Sequence, residues 1–122
     1  FQPVTIFTHT ENDANNDHRI IFSSTVMATR PTGSHIVSKL YSFEVLTSSE
    51  WRFETAFAPN YFEKLEKADA EAKEQALMCY QTETAPFPYP RSKEGVRTQL
   101  MYRGMQVGCE FAEAFKLVRE IK

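Results

Sequence analysis

Six residues in one short stretch of the sequence have the types and spacing that could bind an anionic ligand. They are Phe87, Tyr89, Arg91, Lys93, Arg97 and Arg103. Residues 85–106 contain four cationic side chains and one acidic side chain, Glu94, which gives this stretch a charge of +3. Cationic heads bind phosphate groups, and aromatic rings held apart by prolines stack on bases. The pattern is therefore typical of a site for a nucleotide-like anion.

Lys93 and Arg97 also lie four residues apart at the start of a predicted helix. The N-terminus of a helix already carries partial positive charge, so cations there are unfavourable unless an anion binds beside them. We expect the four cations to hold phosphate groups while one of the two aromatic rings stacks on a base. Two alternatives stay open. The cations pair with acids of the preceding predicted helix while the aromatic rings close the end of the helix pair, or the stretch binds an acidic protein partner.

A second candidate is the polar loop 13–17, which lies between His9 and His18. Its Asp-x-Asn-x-Asp start is similar to a calcium-binding loop, but His18 stands where that loop needs glycine and Ser24 where it needs glutamate. The two histidines and Asp17 would supply three metal ligands if the loop brought them together. Without a more convincing third ligand, we expect a mobile hairpin loop over residues 10–17 and no metal.

Motifs for nucleophilic catalysis are absent from the sequence. No serine lies in a Gly-x-Ser-x-Gly turn, no glycine-rich phosphate loop is present, and no pair of acids lies in an apolar setting. We therefore expect a binding protein with no enzymatic activity and no cofactor.

Composition narrows the class of protein further. The chain has 122 residues and a net charge of −2, which predicts one domain and argues against a polybasic nucleic-acid binder. No apolar run approaches the ~20 residues that a membrane-spanning helix needs. Cys79 and Cys109 are predicted to lie too far apart for a disulfide, which favours a cytoplasmic protein.

The elements that must position these residues fall into two blocks. Period-two alternation predicts four strands, at residues 4–8, 18–29, 35–47 and 51–57. Helical spacing then predicts a helix over 60–83, capped by Asn60, and a second helix over 92–121, with a proline-rich link at 84–91. The sequence therefore predicts an α+β fold, in which an N-terminal antiparallel four-stranded meander (1–59) precedes two C-terminal helices packed as a hairpin.

Two packing features bear on assembly. Gly104, Gly108 and Ala112 recur every four residues, which predicts a close approach of the second helix to the alanines of the first, to a ligand or to a symmetry-related subunit. The predicted sheet also has apolar residues on both faces, more than two helices can cover. We expect a second subunit to cover the remainder, giving a homodimer.

The order of these elements resembles that of the phage anti-Thoeris sponge proteins. The resemblance covers element order only, with no binding residue matched by position. It implies sequestration of a cyclic nucleotide signal, such as a cyclic ADP-ribose isomer, between subunits and without turnover. The alternative is a protein-interaction module that binds a partner protein through its apolar sheet face or through the basic aromatic link.

Overall fold

The chain forms four strands and three α-helices, and a computed structural model describes all 122 of its residues. In chain order they are β1 (Thr5–His9), α1 (Asn16–Ala28), β2 (Lys39–Phe43), β3 (Tyr61–Leu65), α2 (Lys67–Met78), α3 (Lys93–Val107) and β4 (Phe111–Glu120). A 3₁₀ helix, Ser49–Trp51, follows β2. The predicted α+β class is confirmed. None of the helices is long and apolar enough to cross a membrane.

The four strands form one mixed sheet in the order β1-β2-β4-β3. β1 pairs with β2 in parallel, with Thr5 opposite Lys39 and His9 opposite Phe43, whereas β2 and β4 are antiparallel. The predicted antiparallel meander with two C-terminal helices is therefore wrong. A parallel pair needs a crossover connection, and α1 supplies it between β1 and β2.

The first cause of this error is the segment 18–29, which was predicted as a strand and forms most of α1. Asn15 caps the helix by accepting a hydrogen bond from the backbone N–H of Asp17 at 2.9 Å, and Asp17 itself adds a favourable charge in the first turn. No residue of α1 is buried, so the alternation of apolar residues in this segment does not mark a sheet face.

The predicted helix over 60–83 is divided between β3 and α2. Asn60 does not cap a helix, because its side-chain oxygen accepts a hydrogen bond from the backbone N–H of Leu117 at 2.7 Å. The helix begins six residues later, where Glu66 and Asp69 form a capping box. The sequence contains two successive cap patterns, at residues 60–63 and 66–69, and the helix begins at the second.

The predicted helix over 92–121 is likewise divided, between α3 and β4. It begins as expected, since the Ser92 hydroxyl accepts from the backbone N–H of Gly95 at 3.0 Å. It ends at Gly108, whose φ of 73° is the left-handed conformation that glycine favours at a helix end. The predicted glycine stripe therefore does not continue along a helix face: Gly108 terminates α3, and Ala112 lies in β4.

The chain divides into two compact units, residues 1–61 with 115–122 and residues 62–114. The first contains β1, α1, β2 and most of β4, and buries Leu40 and Tyr41 of β2. The segment 51–57, predicted as a strand, is the end of the 3₁₀ helix and an irregular loop in this unit.

The second unit, residues 62–114, is built on α2 and α3, which pack against each other. Its buried apolar residues come from both helices and from the start of β4: Ala70, Val96, Leu100, Phe111, Ala112 and Ala114. Residues 84–90 contain no helix or strand, as the prolines predict.

Candidate functional site

A group of polar side chains lies where the two parallel strands of the first unit end. His9 is the last residue of β1, Asp13 and His18 follow on the loop and first turns of α1, and Ser48 and Ser49 follow β2. We call these five residues the histidine–aspartate cluster. In open sheets with parallel strands, ligands bind outside the carboxyl ends of the strands, which is the edge this cluster occupies.

Asp13 is the centre of the cluster and is completely buried. The Ser48 hydroxyl donates to its Oδ1, and the Ser49 hydroxyl donates to its Oδ2 at 2.7 Å. The backbone N–H of Asn15 donates to Oδ1 at 2.8 Å. Arg19 stabilises the same loop, since its Nη1 donates to the backbone oxygen of Asp13 at 2.6 Å. The loop is therefore ordered by its own hydrogen bonds, contrary to the expectation of a mobile hairpin.

These hydrogen bonds determine the charge of Asp13. Burial raises the pKa of the carboxyl group more than any other single cause, because it disfavours the charged form. Hydrogen bonds from Ser48, Ser49, the Asn15 backbone and His18 together outweigh burial and bring the pKa of Asp13 below its ordinary value. Asp13 is therefore ionised at neutral pH inside the protein.

His18 faces this buried charge. Its Nδ1 lies 3.2 Å from Oδ1 of Asp13 and 3.4 Å from the Ser48 hydroxyl oxygen. A carboxylate only accepts hydrogen bonds, so the proton of a neutral His18 imidazole lies on Nδ1. The remaining nitrogen, Nε2, then carries a lone pair. The His18 side chain is 14 % exposed, which leaves part of the ring accessible from outside.

His9 stacks on His18, with ring centroids 4.1 Å apart and an interplanar angle of 28°. Burial lowers the pKa of His9 most, and the neighbouring His18 lowers it further, while the charge of Asp13 raises it. Since the lowering causes dominate, His9 is neutral at pH 7. Its Nδ1 is buried and has no hydrogen-bond partner in the structure.

The residues predicted as a metal set are only partly brought together. His9 and His18 meet, as the sequence predicts for a metal pair, but Asp17 is exposed in the first turn of α1. No group of three or more His, Cys, Asp or Glu side chains is placed to hold a metal ion. The third histidine, His35, lies outside the cluster and contacts the backbone oxygen of Pro3 through Nε2 at 2.8 Å.

The predicted anion site lies in the second unit, where Lys93 and Arg97 share one carboxylate, that of Glu74. Arg97 Nε donates to Oε1 at 2.6 Å, and Lys93 Nζ lies 3.8 Å from Oε2. The hydrogen bond to Glu74 is the main cause that raises the pKa of Arg97. Glu74 is 1 % exposed, and Arg97 also lies over the ring of Phe111, 5.7 Å from its centroid. For Lys93 and Arg97, these contacts correspond to the alternative prediction that the cations pair with an acid of the preceding helix.

The other predicted ligand residues are spread along the second unit. Arg91 forms an ion pair with Glu83. Arg103 is buried, donates to the side chain of Gln106 at 2.9 Å and lies over the ring of Tyr102. Phe87 and Tyr89 are exposed, as a stacking surface requires.

Sequence reasoning found the two histidines but missed the residues that hold them. Asp13 belongs to the predicted polar loop 13–17, and no role was predicted for Ser48 or Ser49. A signal for Asp13 was present, since an aspartate in a turn commonly accepts a hydrogen bond from the backbone N–H two residues on, here that of Asn15. Nothing in the sequence indicates that the two serines, 35 and 36 residues further on, contact Asp13.

Comparisons with known proteins bear on the fold alone. No family model and no curated protein matches this sequence. Among solved structures, the fold is similar to that of the conserved protein TT1542 from Thermus thermophilus, with a TM-score of 0.69 and 19 % sequence identity. The match covers 99 % of this chain and 54 % of that one, so the chain spans about half the length of the protein it resembles.

Proposed function

We propose that the histidine–aspartate cluster is a hydrolytic site in which His18 acts as the general base on a water molecule. The observation that carries this proposal is the 3.2 Å contact between Nδ1 of His18 and the buried carboxylate of Asp13. A buried carboxylate fixes the imidazole proton on the nitrogen that it faces, and it stabilises the imidazolium that forms when the other nitrogen takes a proton.

The position of Ser48 supports water as the nucleophile. In a serine–histidine–aspartate triad, the serine and the carboxylate contact opposite nitrogens of the imidazole. Here the Ser48 hydroxyl and Asp13 both face Nδ1 of His18. Ser48 is therefore not placed to give its proton to the basic nitrogen Nε2, whereas a water molecule bound at Nε2 would be.

His9 favours this proton cycle because its lowered pKa keeps it neutral. When His18 accepts the proton of the attacking water, the stacked ring of His9 adds no second positive charge beside it. His18 then returns the proton to the leaving group, so the base of the first step is the acid of the second. Bonds that water cleaves in this way, esters and amides, are the substrate class that we propose.

The test is hydrolysis of a panel of nitrophenyl esters and nitroanilides by the wild-type chain and two histidine variants. His18→Gln removes the basic nitrogen, and we expect the rate to fall by about 10²- to 10⁴-fold, the usual contribution of a positioned acid–base group. His35→Gln is the matched control, because His35 lies outside the cluster. Full activity in His18→Gln would contradict the proposal, as would the absence of wild-type turnover across the whole panel.

The expectation of a non-enzymatic protein that sequesters a nucleotide-like anion stays a prediction, as do the homodimer and the alternative role as a protein-interaction module. Lys93 and Arg97 already share the Glu74 carboxylate, so an anion at this position would have to displace it. Titration calorimetry with linear and cyclic nucleotides, comparing wild type with Arg97→Ala, tests that prediction.

A further inference from the structure

The loop that carries the two serines is held in an unfavourable backbone conformation. Thr47 has a φ of 74° and is the only non-glycine residue with positive φ. This conformation is rare for a β-branched residue, so surrounding contacts must hold it. The Glu50 carboxylate supplies them, accepting from the backbone N–H of Thr47 at 2.6 Å and of Ser48 at 3.1 Å.

The two serines that follow Thr47 have different contacts. Each hydroxyl donates to one oxygen of Asp13, so both neutralise part of the same carboxylate. The Ser49 oxygen also accepts from the backbone N–H of Val45 at 2.7 Å, which ties it to its own loop. The Ser48 oxygen instead lies 3.4 Å from Nδ1 of His18. Ser48 is thus the serine whose hydroxyl reaches both the carboxylate and the imidazole.

We propose that Ser48 is a positioning residue that acts together with Asp13 to fix the tautomer of His18, and that Glu50 holds Ser48 in place through its hydrogen bonds to the strained loop at Thr47. The Ser48 hydroxyl donates a hydrogen bond to Asp13, so its oxygen can accept one from Nδ1–H of His18. Asp13 and Ser48 then both accept from Nδ1–H, which leaves Nε2 of His18 as the basic nitrogen. This inference rests on the proposed role of His18 as a base, and Ser48 is the residue that helps to keep its Nε2 unprotonated.

The experiment measures the His18 tautomer directly, from the imidazole ¹⁵N chemical shifts at a pH where the ring is neutral. In the wild type we expect the Nδ1–H form alone. In Ser48→Ala we expect a measurable Nε2–H population, because one of the two acceptors at Nδ1 is lost. Ser49→Ala is the control: it removes a hydrogen bond to Asp13 and the one from the Val45 backbone but none to His18, and should leave the tautomer unchanged. Ser48→Thr keeps a hydroxyl and should restore the wild-type spectrum.

Glu50→Ala provides a second test. It leaves both serines in the chain but removes the hydrogen bonds that hold Thr47 and Ser48 in position, so it should also shift the tautomer. It replaces Ser48→Ala if that variant does not fold. The inference is overturned if His18 keeps the Nδ1–H form without the Ser48 hydroxyl, or if Ser49→Ala changes the tautomer equally. Because the spectrum does not depend on turnover, a shifted tautomer in a chain that hydrolyses nothing would overturn the hydrolytic proposal and leave the positioning role intact.

Discussion

Asp13 in the first unit and Glu74 in the second are both almost completely buried carboxylates, yet their partners differ. Glu74 faces two cations, Lys93 and Arg97, so its charge is balanced within the protein. Asp13 receives hydrogen bonds from hydroxyl and backbone groups, and the ionisable side chain in contact with its carboxylate is the His18 imidazole. A carboxylate paired with permanent cations stabilises a fold. A carboxylate beside a titratable imidazole also controls where a proton lies, which is why we place the chemistry at Asp13.

The largest effect on stability should come from Glu74. Glu74→Ala leaves Lys93 and Arg97, which are partly exposed, without their shared partner and opens a space where the buried Glu74 side chain packs, so the free energy of unfolding should fall. Urea unfolding followed by circular dichroism measures this loss. Glu71→Ala is the control, because Glu71 forms an exposed pair with Lys67 that is worth at most about 0.5 kcal/mol. Equal losses in the two variants would mean that Glu74 behaves as a surface residue.

Asp13→Asn should lower the free energy of unfolding by less, about 2 kcal/mol at pH 7. The amide keeps part of the hydrogen-bond network but lacks the negative charge that the two serines and the Asn15 backbone N–H stabilise. The loss should also depend on pH. The pKa of Asp13 is lower in the folded state than in the unfolded state, so the wild-type advantage is complete above the ordinary value of about 3.9 and disappears as the pH falls through the folded value. Unfolding of wild type and Asp13→Asn at pH 7 and pH 3 measures the loss of stability and its pH dependence. A loss of the same size at both pH values would contradict a lowered pKa of Asp13.

His9 should make a smaller contribution, in a different pH range. Its pKa is lowered in the folded state, so below about pH 6.5 the unfolded chain binds a proton that the folded chain does not. The stability of the wild type should therefore begin to fall as the pH drops through this value and level off below the folded pKa. His9→Gln should remove this step, and His35→Gln should keep it. Thermal unfolding between pH 5 and pH 8 gives the comparison.

The smallest effect concerns anion binding in the second unit. Glu74→Gln removes the charge that Lys93 and Arg97 share, and should strengthen the binding of inorganic pyrophosphate about tenfold, or roughly 1.4 kcal/mol. Calorimetry against wild type measures the change. Tight binding by the wild type that is lost in Arg97→Ala would show that the cations bind anions despite Glu74, and would favour the nucleotide prediction.

The sequence predicted the α+β class and the start of α3, but the predicted sheet topology was wrong because four segments were assigned to the wrong kind of element. Local patterns were ambiguous at each one. Asn60 precedes a capping-box spacing yet binds the backbone of Leu117, and the long period-3.6 pattern after Ser92 continues past the αL residue Gly108 into β4. Contacts with β4, some 50 residues away, decide that Tyr61–Leu65 is a strand. Local propensity cannot register such contacts.

The candidate site was less predictable than the fold for the same reason. Charge counting favoured the cations near Lys93, because uncompensated charge is visible in a sequence while its buried partner is not. Glu74 lies 19 residues before Lys93 and becomes that partner only when α2 and α3 pack together. In the first unit, Asp13 and Ser48 meet only because β1 and β2 are parallel, a pairing that the mistaken assignment of α1 had excluded.

In this strand order β1 pairs only with β2 and lies at one edge of the sheet, where the outward-facing backbone N–H and C=O groups have no partner strand. The opposite edge strand, β3, carries Glu63 and Lys64, charges that discourage another chain from pairing with it. β1, with the sequence TIFTH, has no lysine, proline or bulge, and its Phe7 is half exposed. An unprotected edge of this kind is a template for strand addition between molecules. The tendency of concentrated samples to aggregate should therefore depend on these five residues as well as on the stability of either unit.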